Sequence, residues 1–360
     1  MRRMIACLVL FAWAVFAAEP GGFAPQRWRL AKPVSYQNLT IYPVLSDQTW
    51  ETSAFLTLDE GLASGKVEVK ELDAAAGEGL FASGPQVNRL GLANRSGRPL
   101  LLLAGEIIIG GKQDRIISYD QIIPPGDKLV PVSVFCVEPG RWQGRQDHFG
   151  ALKAIVNPTV REQAVAHKSQ QGVWARGAEA RQSVVAVAPA SANGRVIDGV
   201  WIPHGPEVRP LGSASTSYAE LYLAPAAKSP ISDSAAALKA QYEQALRAEL
   251  KGQPVVGVVV EINKRPVWAD VFASPSLFEK YWPKLLSSYA VEAIAQRGKA
   301  AASAPTAQQF LQRADAAASI EKVGRAYELL RSETGAALTY QLLSRGPEKL
   351  PIHLTRFERR

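Results

Sequence analysis

PLLLLAGEIIIGGKQDRIISYDQIIPPGDKLVPVSVFCVEPGRW, residues Pro99–Trp142, is a series of short apolar runs cut by Gly-Gly, Pro-Pro-Gly and Pro-Gly. Runs of that length between such breakers read as consecutive buried strands joined by tight turns. Within it, Lys128–Val137 is apolar on both alternating faces, the pattern of a central, sandwiched strand. Set into these runs are Glu106, Lys112, Gln113, Asp114, Arg115, Cys136, Glu138 and Arg141. A polar group in a strand that reads as buried needs a partner or a purpose, so the stretch marks the candidate site.

Outward from it, the segment Asn38–Leu45 alternates as a first strand. Thr57-Leu-Asp-Glu60 has capping-box spacing and opens a short helix that stops at Gly65. Val67–Leu72 and Val87–Asn94 read as strands, and the Ala/Gly-rich 74–83 as a flexible connection. From Gln143 to Ser217 the pattern loosens into an irregular, insertion-like segment, with helix expected within Gln170–Val187. Downstream, Ser232-Asp-Ser-Ala reads as the start of the clearest helix, ending near Gly252. Val255–Ile262 and Pro266–Phe272 then form a hairpin about Asn263-Lys-Arg265. Ser274-Pro275 is an N-cap with proline at the first helical position, and the helix it opens is expected to kink or restart at Pro283.

The predicted organisation is α+β, with an antiparallel, β-rich, sandwich-like core and helices mainly in the second half. Residues 18–297 form the main domain, 298–316 an Ala-rich linker with a short helix, and 317–360 antiparallel strands packed on the main domain. At 360 residues, 47% hydrophobic and 21% charged, the chain is a folded globular protein. Residues 1–17 read as a cleaved signal peptide. Arg2 and Arg3 precede the apolar Ile5–Phe16, and Val15-Phe16-Ala17 supplies small residues for cleavage after Ala17 or Ala18. The expected location is therefore secreted or periplasmic, with no integral membrane segment after cleavage. Removing Arg2 and Arg3 takes the formal charge from +8 to +6. That surplus is spread along the chain without aromatic interleaving, which argues against a nucleic-acid partner. Cleavage also removes Cys7 and leaves Cys136 alone, so no intrachain disulfide forms.

Known catalytic and cofactor motifs are missing. There is no Walker lysine-serine pair and no Gly-x-Ser-x-Gly elbow. The four histidines, His148, His167, His204 and His353, are scattered without metal-ligand spacing. No metal and no cofactor is expected. Glu106, Cys136 and Glu138 remain as catalytic candidates, for acid/base work or, at Cys136, nucleophilic attack. Lys112, Gln113, Arg115, Arg141 and Trp142 are the ligand-binding candidates, their fixed donors suited to a carboxylate, phosphate or amide. The same charges could instead pair with one another in an internal ion network.

The residues Leu101-Leu-Leu-Ala-Gly-Glu106, Gly110-Gly-Lys-Gln113 with Arg115, Pro124-Pro-Gly126 and Cys136-Val-Glu-Pro-Gly-Arg-Trp142 resemble the signature of a bacterial domain family. That family is named for its association with ADP-ribosylglycohydrolase and rhodanese-phosphatase-superfamily proteins. The resemblance extends to Tyr42-Pro-Val-Leu45 and Leu56-Thr-Leu-Asp-Glu60 upstream. Downstream it takes in Ala269-Asp-Val-Phe272, Pro283-Lys-Leu-Leu286 with Ser288-Tyr289, and His353-Leu with Phe357. Gly111 departs from the family's common Gly-Ala-Lys-Gln form, and 143–217 matches poorly. The resemblance implies a link to ADP-ribose or phosphate chemistry by association, and no catalytic residues. Three readings follow. The first is a ligand-binding or interaction domain with a polar pocket in 105–142, its partner a small molecule or an envelope protein. The second is a hydrolase acting on an ADP-ribosyl or phosphorylated substrate. The third is a structural cell-envelope protein. The residues alone do not decide whether the protein is an enzyme.

Overall fold

The computed structural model describes residues 22–72, 88–139, 146–188, 195–197, 200–202, 216–299, 304–335, 337–346 and 349–359. The segments read as signal peptide (1–17) and flexible connection (74–83) lie outside the described residues, as do Arg141 and Trp142.

Two sheets carry the fold. The larger runs in the order Arg29–Leu30, Leu39–Leu45, Val255–Ile262, Arg265–Phe272, Pro351–Glu358, Ala337–Ser344, Tyr327–Thr334 and Ser319–Val323, with Val34–Tyr36 also paired to Leu39–Leu45. The second has six strands: Gln146–Ile155, Glu106–Gly111, Arg115–Ile117, Gly126–Cys136, Arg89–Asn94 and Val67–Glu71. Seven α-helices are described: α1 (Leu58–Ala63), α2 (Pro158–Glu162), α3 (Gln170–Val187), α4 (Glu220–Leu223), α5 (Pro225–Ala245), α6 (Pro275–Ala295) and α7 (Ala307–Gln312). The chain is thus an α+β protein dominated by antiparallel sheets around a sandwich-like core, with helices mostly in the second half. No described helix is long and apolar enough to cross a membrane.

A small third sheet joins the two. Leu100–Leu102 pairs antiparallel with Gln121–Ile123 and parallel with Leu56–Thr57. Its side chains alternate between two cores: Leu101, Leu103 and Ile122 pack with the large sheet, α5 and α6. Leu100, Leu102 and Ile123 pack with the six-stranded sheet. This is why four leucines run together, since a strand buried on both faces has no polar side to alternate with. The long strand Gly126–Cys136 behaves differently. It lies inside its sheet, but its first half is exposed and Leu129 faces solvent, so it is not buried on both faces along its length as the Leu100–Leu103 run is.

Local signals set the element ends. The Thr57 hydroxyl accepts from Glu60 N while the Glu60 carboxylate accepts from Thr57 N, closing the capping box of α1. Asn263 and Lys264, at φ 53° and 62°, make the tight hairpin turn between Val255–Ile262 and Arg265–Phe272. Ser274 caps α6 by accepting from Leu277 N, and α6 runs unbroken through Pro283 rather than restarting there. Two expectations shift for α5. It begins at Pro225, seven residues before the Ser232 signal, and contains Pro230. Pro230, the sixth helical residue, removes the one bond its missing N–H would have made a turn back, and the helix continues past it. The span read as irregular holds the edge strand Gln146–Ile155 and α2 as well as α3.

Helix α6 is buried on nearly every side, as a helix in a core is. Yet Tyr281, Lys284, Ser288 and Glu292 recur on it at steps of three and four residues, which places them on one face. That polar ridge docks on the small sheet and the strand end at Ile155–Asn157, and it builds the site below.

Candidate functional site

The signature turn Leu103-Ala-Gly-Glu106 is held by two carboxylates. Glu106 Oε2 accepts from Leu103 N at 2.6 Å, and Asp120 Oδ1 accepts from Ala104 N at 2.7 Å. Gly105 sits at φ +85°, and a Cβ there would come within 2.6 Å of Arg161 Cγ. The turn therefore needs glycine for its backbone and for the side chain that crosses it.

From each carboxylate a buried chain of charge runs outward. Glu106, 1% exposed, meets the Lys284 ammonium, which Asp59 Oδ2 also accepts from at 2.8 Å. The Lys284 ammonium further lies 4.6 Å from the centre of the Tyr281 ring. Burial opposes charge on Lys284, but Glu106 and Asp59 outweigh it and raise its pKa. Burial raises the pKa of Glu106 despite Lys284.

Asp120 Oδ2 lies 2.6 Å from His353 Nδ1, and the other ring nitrogen lies 3.2 Å from Asp270 Oδ1. Asp270 also takes a two-pronged bond from Arg161, at 2.9 and 3.1 Å, and the Tyr289 hydroxyl. The Arg161 guanidinium stacks over Trp268, 4.8 Å from its ring centre. Burial disfavours a charged imidazole, but the two aspartates overcome it and push the pKa of His353 up to about 9. Burial alone would raise the Asp270 carboxyl. Arg161 and His353 reverse this and hold it well below the usual carboxylate range. With two aspartates facing a protonated histidine and an arginine, the formal charge sums to zero, which a buried cluster requires.

Farther along α6, Ser288 Oγ donates to Val156 O at 2.8 Å. Glu292 accepts from the Asn157 amide, from the backbone and hydroxyl of Thr159 and from Gln296. Asn157 thereby gives its side chain to Glu292 instead of capping α2, and Glu292 takes over at Thr159 N.

The other candidates gather at the far end of the stretch, away from Glu106. Arg115 is opposite Cys136 across a strand pair and approaches Glu71 to 3.9 Å. Gln113 donates to the backbone carbonyl of Glu138 at 3.2 Å, while Lys112 N donates to Glu71. The strand ends at Cys136, so its alternation does not extend to Glu138. Cys136 is 1% exposed, its backbone clamped by both ends of the Gln170 amide. Burial raises its thiol pKa, Arg115 offsets this in part, and Glu71 adds to it. Among the described residues, no group of three or more His, Cys, Asp or Glu is placed to hold a metal ion.

Sequence reasoning missed Arg161, Asp270, Lys284, Tyr289 and Glu292 as partners in these buried networks. Asn157-Pro158 carries the same N-cap and proline signal as Ser274-Pro275, and would have located α2 and Arg161. The four-residue recurrence of Lys284, Ser288 and Glu292 inside an apolar helix was the signal for Lys284 and Glu292; Asp270 and Tyr289 carried no local one.

No curated protein and no solved structure matches the chain. The Asp120–His353–Asp270 chain and the Glu106–Lys284 pair draw together four segments carrying the resemblance: 101–106, 269–272, 283–289 and 353–357. The family model described as ARG and Rhodanese-Phosphatase-superfamily-associated Protein domain matches residues 27–357, spanning all of them, and the chain belongs to that family.

Proposed function

We propose that the protein is an exported binding or interaction domain, secreted or periplasmic, rather than a hydrolase. One observation carries this: Glu106 lies sealed beneath Lys284 with its second oxygen on Leu103 N. A general acid or base must come within hydrogen-bond reach of a substrate proton, and Glu106 has no exposed face to offer. Cys136 is buried with its pKa raised, the reverse of the electropositive, accessible setting that activates a thiol. In this reading Glu106 and Cys136 are architectural, and ligand contact falls to half-buried and exposed groups around them. Export rests on the basic, apolar and small-residue pattern of residues 2–18.

Alkylation at Cys136, mapped by mass spectrometry, is expected only after denaturation. Protein recovered from an expressing cell is expected to start at Ala18 or Glu19. The hydrolase alternative is tested with ADP-ribosylated and phosphorylated substrates. Turnover abolished by Glu106→Gln at unchanged stability would sink the binding reading.

A further inference from the structure

Resting on that binding reading, we propose that the cleft between the two sheets is its ligand site, and that it takes a small aromatic carboxylate. The cleft encloses about 270 Å³, lined on one side by Tyr119 and Phe135 of the signature stretch and on the other by Leu329 and Tyr340 of the large sheet. Its floor is apolar and buried, at Val134 and Val165. Aromatic walls over an apolar floor suit a flat ring, and a few charged groups at the rim fix its orientation.

Two backbone irregularities bring those charges to the same rim. Residues Gln163–His167 form a π-helical turn, and the residue that ends it, Lys168, adopts the left-handed conformation at φ 50°, ψ 38° with its N–H on Gln163 O. Non-glycine residues in that region and π-turns both concentrate at functional sites. Opposite, the edge strand Ser319–Val323 is bulged. Ile320 faces Leu330 but Lys322 faces Leu329, so one extra residue, Glu321, is accommodated between them. The bulge leaves Ile320 and Val323 exposed to solvent, while Glu321 and Lys322 both line the cleft. Without it, strict alternation would send one of those two charges outward. Lys168 bonds Glu321 across the mouth, and the Lys322 ammonium sits 5.7 Å from the Tyr119 ring centre.

Two ammonium groups face one carboxylate, leaving a surplus of one positive charge. A ligand with a single anionic group satisfies it, and Glu321 competes with that group for Lys168. The volume lies just below the range of roughly 300–1,000 Å³ usual for small-molecule pockets, which suits one or two rings rather than a nucleotide.

Calorimetric titration of the intact protein with indole-3-acetate, its neutral amide and tryptamine tests the assignment. The acetate is expected to bind one to one, the amide at least tenfold more weakly, and tryptamine not measurably. Lys168→Ala and Lys322→Ala should each weaken the acetate at least fivefold without moving the melting temperature, and Glu321→Gln should tighten it several-fold. Equal binding of acetate and amide, undiminished binding in the double lysine variant, or no saturable binding of indole-3-acetate, benzoate or 4-hydroxybenzoate would overturn the site. The broader reading fails by a different route, through turnover lost in Glu106→Gln. A small molecule recovered equally from parent and double variant would place binding elsewhere, overturning this site while leaving that reading intact.

Discussion

The ionic seam at Leu103–Asp120 and the cleft at Ser118–Phe135 draw on one stretch of sequence, and both collect charges from distant segments. In the seam every charge faces a counter-charge, and all of them but the half-buried Asp59 are buried. In the cleft Lys168 and Lys322 stand at a solvent-open rim beside apolar walls. The seam is reached by regular elements, a helix ridge and strand register. The cleft receives its charges from a π-turn and a bulge. Charge that is buried and paired fastens one sheet to the other. Charge that an irregular backbone steers toward a hollow would, in the site proposed above, meet a ligand. Substitutions should separate the two cleanly, because stability responds in the seam and binding in the cleft.

The largest effect is expected at Asp270. Asp270→Ala leaves the Arg161 guanidinium buried without the carboxylate it bonds, and His353 with Asp120 alone; removing one partner of a buried pair costs about 3–5 kcal/mol. Denaturant unfolding monitored by tryptophan fluorescence measures it. A variant within about 1 kcal/mol of the parent would mean that the seam is not holding the sheets together.

The next effect is in pH. His353 has its folded pKa raised from the ordinary 6.5 to about 9, so it favours the folded state while protonated. Its contribution is complete below about 6.5, where both states bind the proton. It is lost as pH rises through about 9, since the unfolded chain releases the proton first. A shift of this size corresponds to about 3 kcal/mol. Unfolding midpoints taken from pH 6 to 10 should fall across that window, and His353→Gln should flatten the slope. An unchanged slope in that variant would assign the titration elsewhere.

How far all this could be read beforehand depends on whether the determining contacts are local. The capping box at Thr57, the cap at Ser274 and the turn at Asn263 are written in neighbouring residues, and each appears where its signal lies. The run Leu100–Leu103 was legible because burial on both faces leaves an unmistakable apolar pattern. The strand Gln146–Ile155 was hidden because its register shifts between Ala151 and Ile155, with Lys153 at positive φ, and a broken period looks like a loop. The seam was visible only as isolated polar residues. Its partners lie 109, 178 and 233 positions apart, as Arg161–Asp270, Glu106–Lys284 and Asp120–His353, and no local period encodes such pairings. The charges within the stretch were real signals: Glu106 pairs with α6, Asp120 with the large sheet, and Arg115 approaches Glu71 of the six-stranded sheet.

Gly105→Ala tests the seam at its backbone, with a smaller effect. The new methyl group must tolerate φ +85° and press on the Arg161 side chain, a loss of about 2 kcal/mol from strain and contact together. Comparing Gly105→Ala in the parent with Gly105→Ala in an Arg161→Met background separates the causes. The strain persists in both, whereas the contact is eased in the second.

The smallest effect on stability belongs to the cleft. Among the described residues, the Lys168 and Lys322 side chains are tied by a rim ion pair and a ring contact. Exposed pairs of that kind contribute about 0–1 kcal/mol, and surface substitutions away from buried features usually stay within about 0.5 kcal/mol. Lys322→Ala should therefore leave the unfolding midpoint almost unchanged. If it destabilised the protein as much as Gly105→Ala does, the rim would be part of the same fastening as the seam. The contrast between charge that holds and charge that waits would then disappear.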